Sequence, residues 1–99
     1  MKYLIVGGGL YGLTCARLLS NKGHNCLIIE KNPYLGGLCH TRKYNDINIH
    51  ENGIHIFHTS DKKVWDFVNL YNSFQDYQLK VCATDGNDMY SLPFNMHTF

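Results

Sequence analysis

No apolar run in this chain approaches the roughly 20 residues that a membrane-spanning helix needs, so nothing supports a transmembrane reading. The four cysteines (Cys15, Cys26, Cys39 and Cys82) form no CxxC pair, which removes the common zinc and dithiol patterns. Cys15 and Cys26 fall on expected core elements, where cysteine packs as a small apolar residue. Charge of one sign is also lacking. Nine Lys and Arg face eight Asp and Glu, and no basic run exceeds the pair Lys62-Lys63. That balance argues against nucleic acid or an anionic membrane surface as partner. Proline occurs twice, as Pro33 and Pro93, and each marks a break in regular structure. Met1-Lys2 leads straight into apolar sequence with no signal-peptide pattern, so a reduced, cytoplasmic setting is expected. At 99 residues the chain holds at most one small domain, and a doubly wound fold usually needs more.

What is present begins with glycine. Gly7-x-Gly9-x-x-Gly12 follows the apolar run Tyr3-Leu4-Ile5-Val6 and opens a stretch with helical periodicity. Lys2–Val6 reads as a parallel strand buried on both faces, because its apolar run is continuous. Leu10–Lys22 reads as a helix, with Leu10, Leu13, Ala16 and Leu18 or Leu19 inward and Gly23 as its left-handed stop. Asn25–Glu30 is the second strand, and it ends in an acid. Gly7 permits the tight turn, Gly9 lets the backbone approach a pyrophosphate, and Gly12 lets helix and strand pack closely. Glu30 stands 18 positions after Gly12, near the spacing of an acid that holds a ribose hydroxyl. Strand, glycine turn, helix, strand and acid in that order are a dinucleotide fingerprint, with the pyrophosphate over the helix N-terminus.

Beyond Glu30 the run Lys31-Asn32-Pro33-Tyr34-Leu35-Gly36-Gly37 reads as a loop. Ile47–His50 alternates as a half-buried strand, and Asn52-Gly53 offers a turn. Thr59 or Ser60 would cap a second helix, with Asp61 complementing its dipole. Val64, Phe67, Val68 and Tyr71 share one face of that helix, and Asn72 would end it. Gln78–Thr84 and Met89–Leu92 flank Asp85-Gly86-Asn87-Asp88 as a hairpin. The expected class is α/β: a Rossmann-like βαβ unit over residues 1–77, then the beginning of an antiparallel sheet over 78–99, together an incomplete domain.

The loop after Glu30 indicates which dinucleotide is held. Its glycine pair, six residues past the acid, resembles the flavin-binding signature of amine-oxidase-like FAD proteins. Further on, His50-Glu51-Asn52-Gly53-Ile54-His55-Ile56-Phe57-His58-Thr59 and Asp61-Lys62-Lys63-Val64-Trp65-Asp66 resemble the UDP-galactopyranose mutases, as does Leu92-Pro93-Phe94-Asn95-Met96. This resemblance covers essentially the whole chain. It implies an isomerase that interconverts UDP-galactopyranose and UDP-galactofuranose without net redox change, using reduced FAD as the nucleophile.

The cofactor-binding residues so implied are Gly7, Gly9, Tyr11, Gly12, Glu30, Lys31, Gly36, Gly37, Leu38, His55, Ile56 and His58. His55 and Ile56 are expected against the isoalloxazine, with His58 supporting their loop and Lys31 near the adenosine ribose. Each has a plainer alternative: packing for Tyr11, solvation for Lys31, a bare loop for Gly36 and Gly37, and backbone-satisfied rings for His55 and His58. A metal at His50, His55 and His58 is disfavoured, because spacings of five and three match no compact zinc motif. Leu38-Cys39-His40 departs from the family's asparagine, small residue and tyrosine after the glycine pair, so at Leu38 only a backbone contact is expected. No catalytic residue is assigned to this stretch. The family's diphosphate-clamping arginines and tyrosines lie past the position of Phe99. UDP-galactose is therefore expected as substrate only when a C-terminal portion completes the site, and the partner chain of a split enzyme is one reading. The alternatives are another amine-oxidase-like FAD oxidoreductase and a non-catalytic truncated remnant.

Overall fold

A computed structural model describes residues 1–93. Two compact units, Met1–His58 and Thr59–Phe99, are described separately. In the first, β1 (Lys2–Val6) and β2 (Asn25–Ile29) pair in parallel from Lys2 opposite Asn25 to Val6 opposite Ile29. Helix α1 (Leu10–Asn21) connects them and packs on one face of the pair. Cys26 Sγ lies 3.8 Å from the Ala16 carbonyl, and a Cβ on Gly12 would come within 3.2 Å of Ile5 Cγ2. Gly23 ends the helix at φ 82°, a left-handed conformation that favours glycine.

The burial of this unit is one-sided. Tyr3, Ile5, Cys26 and Ile28 are half-buried on the helix side, and Ala16 is the buried apolar residue at its centre. On the opposite side Leu4 (62%), Val6 (78%), Leu27 (63%) and Ile29 (47%) are exposed. A continuous apolar run suits a parallel strand covered on both faces, but only α1 covers this pair. Leu10 and Leu18 are exposed as well, so the inner helix face is narrower than expected, comprising Leu13, Ala16 and Leu19. Strand β2 stops at Ile29, which leaves Glu30 in the loop that follows.

After a single 3-10 turn at Gly37–Cys39, β3 (Thr41–Tyr44) and β4 (Ile47–His50) form an antiparallel hairpin. Its two-residue turn is Asn45-Asp46, both at positive φ (46° and 63°), as the right-handed twist of a hairpin requires. Arg42 and Glu51 form an ion pair at 2.6 Å at its open end. Strand β3 was not expected. Thr41-Arg42-Lys43-Tyr44 has no apolar alternation and gains its order from pairing with β4.

In the second unit α2 spans Lys62–Asn69. Its N-cap is Asp61 rather than Thr59 or Ser60: the carboxylate accepts from the Lys63 and Val64 N–H groups, while Thr59 Oγ1 accepts from Asp61 N–H. The helix ends before Asn72, with Leu70 as C-cap. Phe67 and Val68 are half-buried on its inner face, and Phe67 packs edge-on to Tyr71. Strands β5 (Val81–Thr84) and β6 (Met89–Leu92) make the expected hairpin, although Gln78–Lys80 does not join it. The Asp85 carboxylate organises its turn by accepting from Asn87 and Asp88 N–H and from the Tyr90 hydroxyl. Of the mutase-like block at Leu92–Met96, residues 94–96 lie outside the described residues. Among the described residues no helix is long and apolar enough to cross a membrane.

Candidate dinucleotide site

Parallel strands joined by a helix bring their C-terminal ends and the helix N-terminus to one edge, where ligands of open α/β sheets bind. Here that edge carries a hollow of about 480 Å³ lined by Val6, Gly7, Ile29, Glu30, Lys31, Asn32, Tyr34, Gly37, Leu38 and Asn52. A second, of about 440 Å³, runs past Gly9, Tyr11 and Gly12 along the start of α1.

Glu30 is held from two sides. Gly8 N–H donates to its Oε2 at 2.7 Å, and Asn32 N–H donates to its Oε1 at 3.1 Å. These two backbone donors, Gly8 first, hold its carboxyl below the usual glutamate range. The group is therefore an ionised, oriented acceptor at the rim of the hollow, with lone pairs remaining for ligand hydroxyls.

Close backbone contact explains the glycines. Gly36 N–H donates to the Gly8 carbonyl at 2.8 Å, and Gly9 and Gly36 form an isolated parallel bridge. Gly36 has φ 110°, a value that disfavours any side chain. A Cβ on Gly37 would lie 3.1 Å from Gly9 Cα, and one on Gly12 would run into the Gly7 carbonyl. The fingerprint turn and the later glycine pair thus form one bare backbone surface. Gly9 is the N-cap of α1 and provides no side-chain cap, so the first-turn N–H groups of the helix stay available to an anion.

The chain therefore brings Gly7, Gly9, Gly12, Glu30, Lys31, Gly36, Gly37 and Leu38 together at this edge, with Tyr11 exposed on the first turn of α1. His55, Ile56 and His58 line neither hollow. His55 is half-buried and stacks on His50, with ring centroids 4.0 Å apart and planes at 18°, and its Nδ1 is buried with no hydrogen-bond partner. Ile56 and His58 are exposed. Among the described residues no group of three or more His, Cys, Asp or Glu could hold a metal ion.

The sequence reading passed over Gly8, Asn32, Tyr34 and Asn52. Gly8 carried a signal: in a run of three glycines the middle one is buried, and a Cβ there would lie 3.2 Å from Glu30 Oε2. Nothing local identified the others, because their place follows from how the loop folds back over the strand ends.

Residues 5–71 match the family model of the NAD(P)-binding Rossmann-like domain. The chain is 42% identical over 99 residues to the dTDP-fucopyranose mutase of Escherichia coli, covering 98% of this chain and 26% of that protein. It is 37% identical over 97 residues to a probable UDP-galactopyranose mutase of Klebsiella pneumoniae, covering 96% and 25% respectively. It is also 40% identical over 57 residues to the 15-cis-phytoene desaturase of Synechococcus elongatus, covering 58% and 12%. The chain thus spans about a quarter of the length of the mutases it matches. The resemblance to the UDP-galactopyranose mutases holds over nearly all of the sequence. The chain belongs to the NAD(P)-binding Rossmann-like domain family.

Proposed function

We propose that this chain is the FAD-binding part of a nucleotide-sugar pyranose mutase, interconverting UDP-galactopyranose and UDP-galactofuranose once completed by the polypeptide that makes up the rest of the mutases. The observation that carries the dinucleotide half of this reading is the Glu30 carboxylate, fixed by Gly8 and Asn32 at the end of β2 beside the bare surface of Gly9, Gly36 and Gly37. The mutase half is supported by two relatives aligned over nearly the whole chain.

The residues present fit the cofactor. The first-turn N–H groups of α1 would hold its pyrophosphate, and Glu30 would accept from the adenosine ribose. Gly36, Gly37 and the Leu38 N–H would let backbone approach it. His55, Ile56 and His58 are assigned to the isoalloxazine side by the resemblance. FAD, when bound and reduced, would supply the nucleophile of a ring interconversion without net redox change. This chain's own residues bind and orient; the groups that grip the sugar nucleotide are expected from the completing polypeptide, whether continuous with this chain or a partner chain.

The test is product analysis. The chain is assembled with the remainder of the Klebsiella pneumoniae relative and incubated with UDP-galactofuranose, with and without dithionite, and the sugars are separated by chromatography. Conversion to the pyranose only under reducing conditions supports the proposal. A relative named dTDP-fucopyranose mutase aligns at higher identity, 42% against 37%, so the incubation is repeated with dTDP-fucopyranose and that protein's remainder. The desaturase match favours a second reading, an amine-oxidase-like FAD oxidoreductase. Turnover by the oxidised form with peroxide release would favour it.

A further inference from the structure

Tyr34 lies between Glu30 and the glycine pair, in a loop tied down by the Gly36 to Gly8 hydrogen bond. Its ring stacks on His40 with centroids 3.8 Å apart and planes at 15°, close to parallel. It is half-buried and lines the same hollow as Glu30, whereas His40 does not line it. An aromatic plane fixed from behind beside an ionised ribose acceptor is the pair of features a nucleoside needs. The ring offers π surface to a base, and the carboxylate offers acceptors to the sugar. We propose that Tyr34 is the stacking platform for the nucleobase of an adenosine diphosphate moiety, with His40 as the positioning residue that holds its ring. This rests on the reading of the hollow as a dinucleotide site, and it identifies the adenosine half as the part the hollow takes. Stacking uses the π face and not the hydroxyl, so phenylalanine suffices at this position. Base–aromatic stacks are sequence-tolerant, and removing one costs about fivefold or more in affinity.

The experiment titrates the chain completed by the rest of the mutase, freed of bound nucleotide, with ADP and, separately, with inorganic pyrophosphate, by isothermal titration calorimetry. The expected result is ADP binding weakened about fivefold or more by Tyr34→Ala and unchanged by Tyr34→Phe, with pyrophosphate binding equal in all three forms. His40→Ala should weaken ADP by a smaller factor, and His40→Phe should restore it. Equal ADP affinity in the wild type and Tyr34→Ala overturns the proposal. So does an equal loss in Tyr34→Phe, an equal loss of pyrophosphate binding, or no ADP binding by the completed wild type. Saturable ADP binding with the expected Tyr34 pattern in a completed enzyme that does not take up added FAD would uphold the platform while removing the flavin reading.

Discussion

Gly8 and Glu30, 22 positions apart in sequence, are joined by a 2.7 Å hydrogen bond from the Gly8 backbone N–H to Glu30 Oε2. The glycine turn after β1 thereby orients the acid after β2, so the two ends of the fingerprint form a single device. A second donor, Asn32 N–H, fixes the other oxygen. Because both bonds favour the ionised form, the carboxyl titrates below the ordinary glutamate range. A carboxylate whose folded-state pKa is depressed stabilises the fold above its unfolded pKa. That contribution is lost as pH falls through the lower folded value. An NMR titration of the Glu30 carboxyl should therefore give a midpoint below that of a free glutamate, with the Gly8 amide moving in step. In Glu30→Gln the Gly8 amide should be flat across that window. A Glu30 midpoint at the free value would break the link between the two residues.

Replacing Glu30 by alanine should weaken FAD binding in the completed enzyme by about tenfold or more, the usual cost of losing a hydrogen bond to a charged group. Flavin fluorescence titration of the two forms measures it. Unchanged affinity would remove Glu30 from the ribose.

Gly12 and Gly23 should respond differently to the same change. Gly12→Ala drives a Cβ into the Gly7 carbonyl and against Ile5, so α1 must lift from β1, at about 1–3 kcal/mol. Gly23→Ala meets nothing within 4 Å and suffers only from its positive φ, at about 1 kcal/mol. Urea titrations should rank the two in that order. A larger loss at Gly23 would contradict the close packing assigned to Gly12.

Two aspartates in the second unit act on local structure. Asp61→Ala removes the N-cap of α2 and should cost about 1 kcal/mol, seen as reduced helical circular dichroism. Asp85→Ala should loosen the β5–β6 turn, since three donors lose their acceptor. Backbone bonds from Asp88 and Asn87 hold the Asp85 carboxyl below its ordinary range. The hairpin should accordingly persist above the unfolded-state pKa and loosen as pH falls through the lower folded value. Amide exchange of Asn87 and Asp88 follows it, and protection unaltered by either change would argue against the assignment.

The uncovered side of the β1–β2 pair bears on the isolated chain. Leu4, Val6, Leu27 and Ile29 are exposed and, among the described residues, Ala16 is the one buried apolar side chain, so little area is removed from water. The 99 residues by themselves should melt broadly and bind FAD no tighter than the order of micromolar. A sharp melt with sub-micromolar FAD binding would show a self-sufficient flavin module.

Most of the first unit was legible because its signals are local. A continuous apolar run, three spaced glycines, a terminal glycine and an acid fix β1, α1 and β2 to within a residue or two. The antiparallel hairpin around Asp85 was legible from its turn residues. Strand β3 was not, since Arg42 and Lys43 carry no strand pattern and the positive-φ pair Asn45-Asp46 is a weaker turn signal than Asn-Gly. The cap of α2 lies one or two residues beyond the expected Thr59 or Ser60, because Thr59, Ser60 and Asp61 all have capping side chains and only the chain path decides between them. At the site the fingerprint residues could be read, whereas Tyr34 and Asn52 could not, because the loop that folds back over the strand ends determines what they border.

The most direct test is the identity of the dinucleotide that the completed enzyme carries. The chain assembled with the rest of the mutase is purified, denatured, and its released nucleotide identified by chromatography and mass. The expected result is FAD at one per chain, lost from a form carrying both Glu30→Ala and Gly12→Ala. Recovery of NAD or NADP instead, or of no dinucleotide at all, would contradict the assignment of this fold edge to FAD.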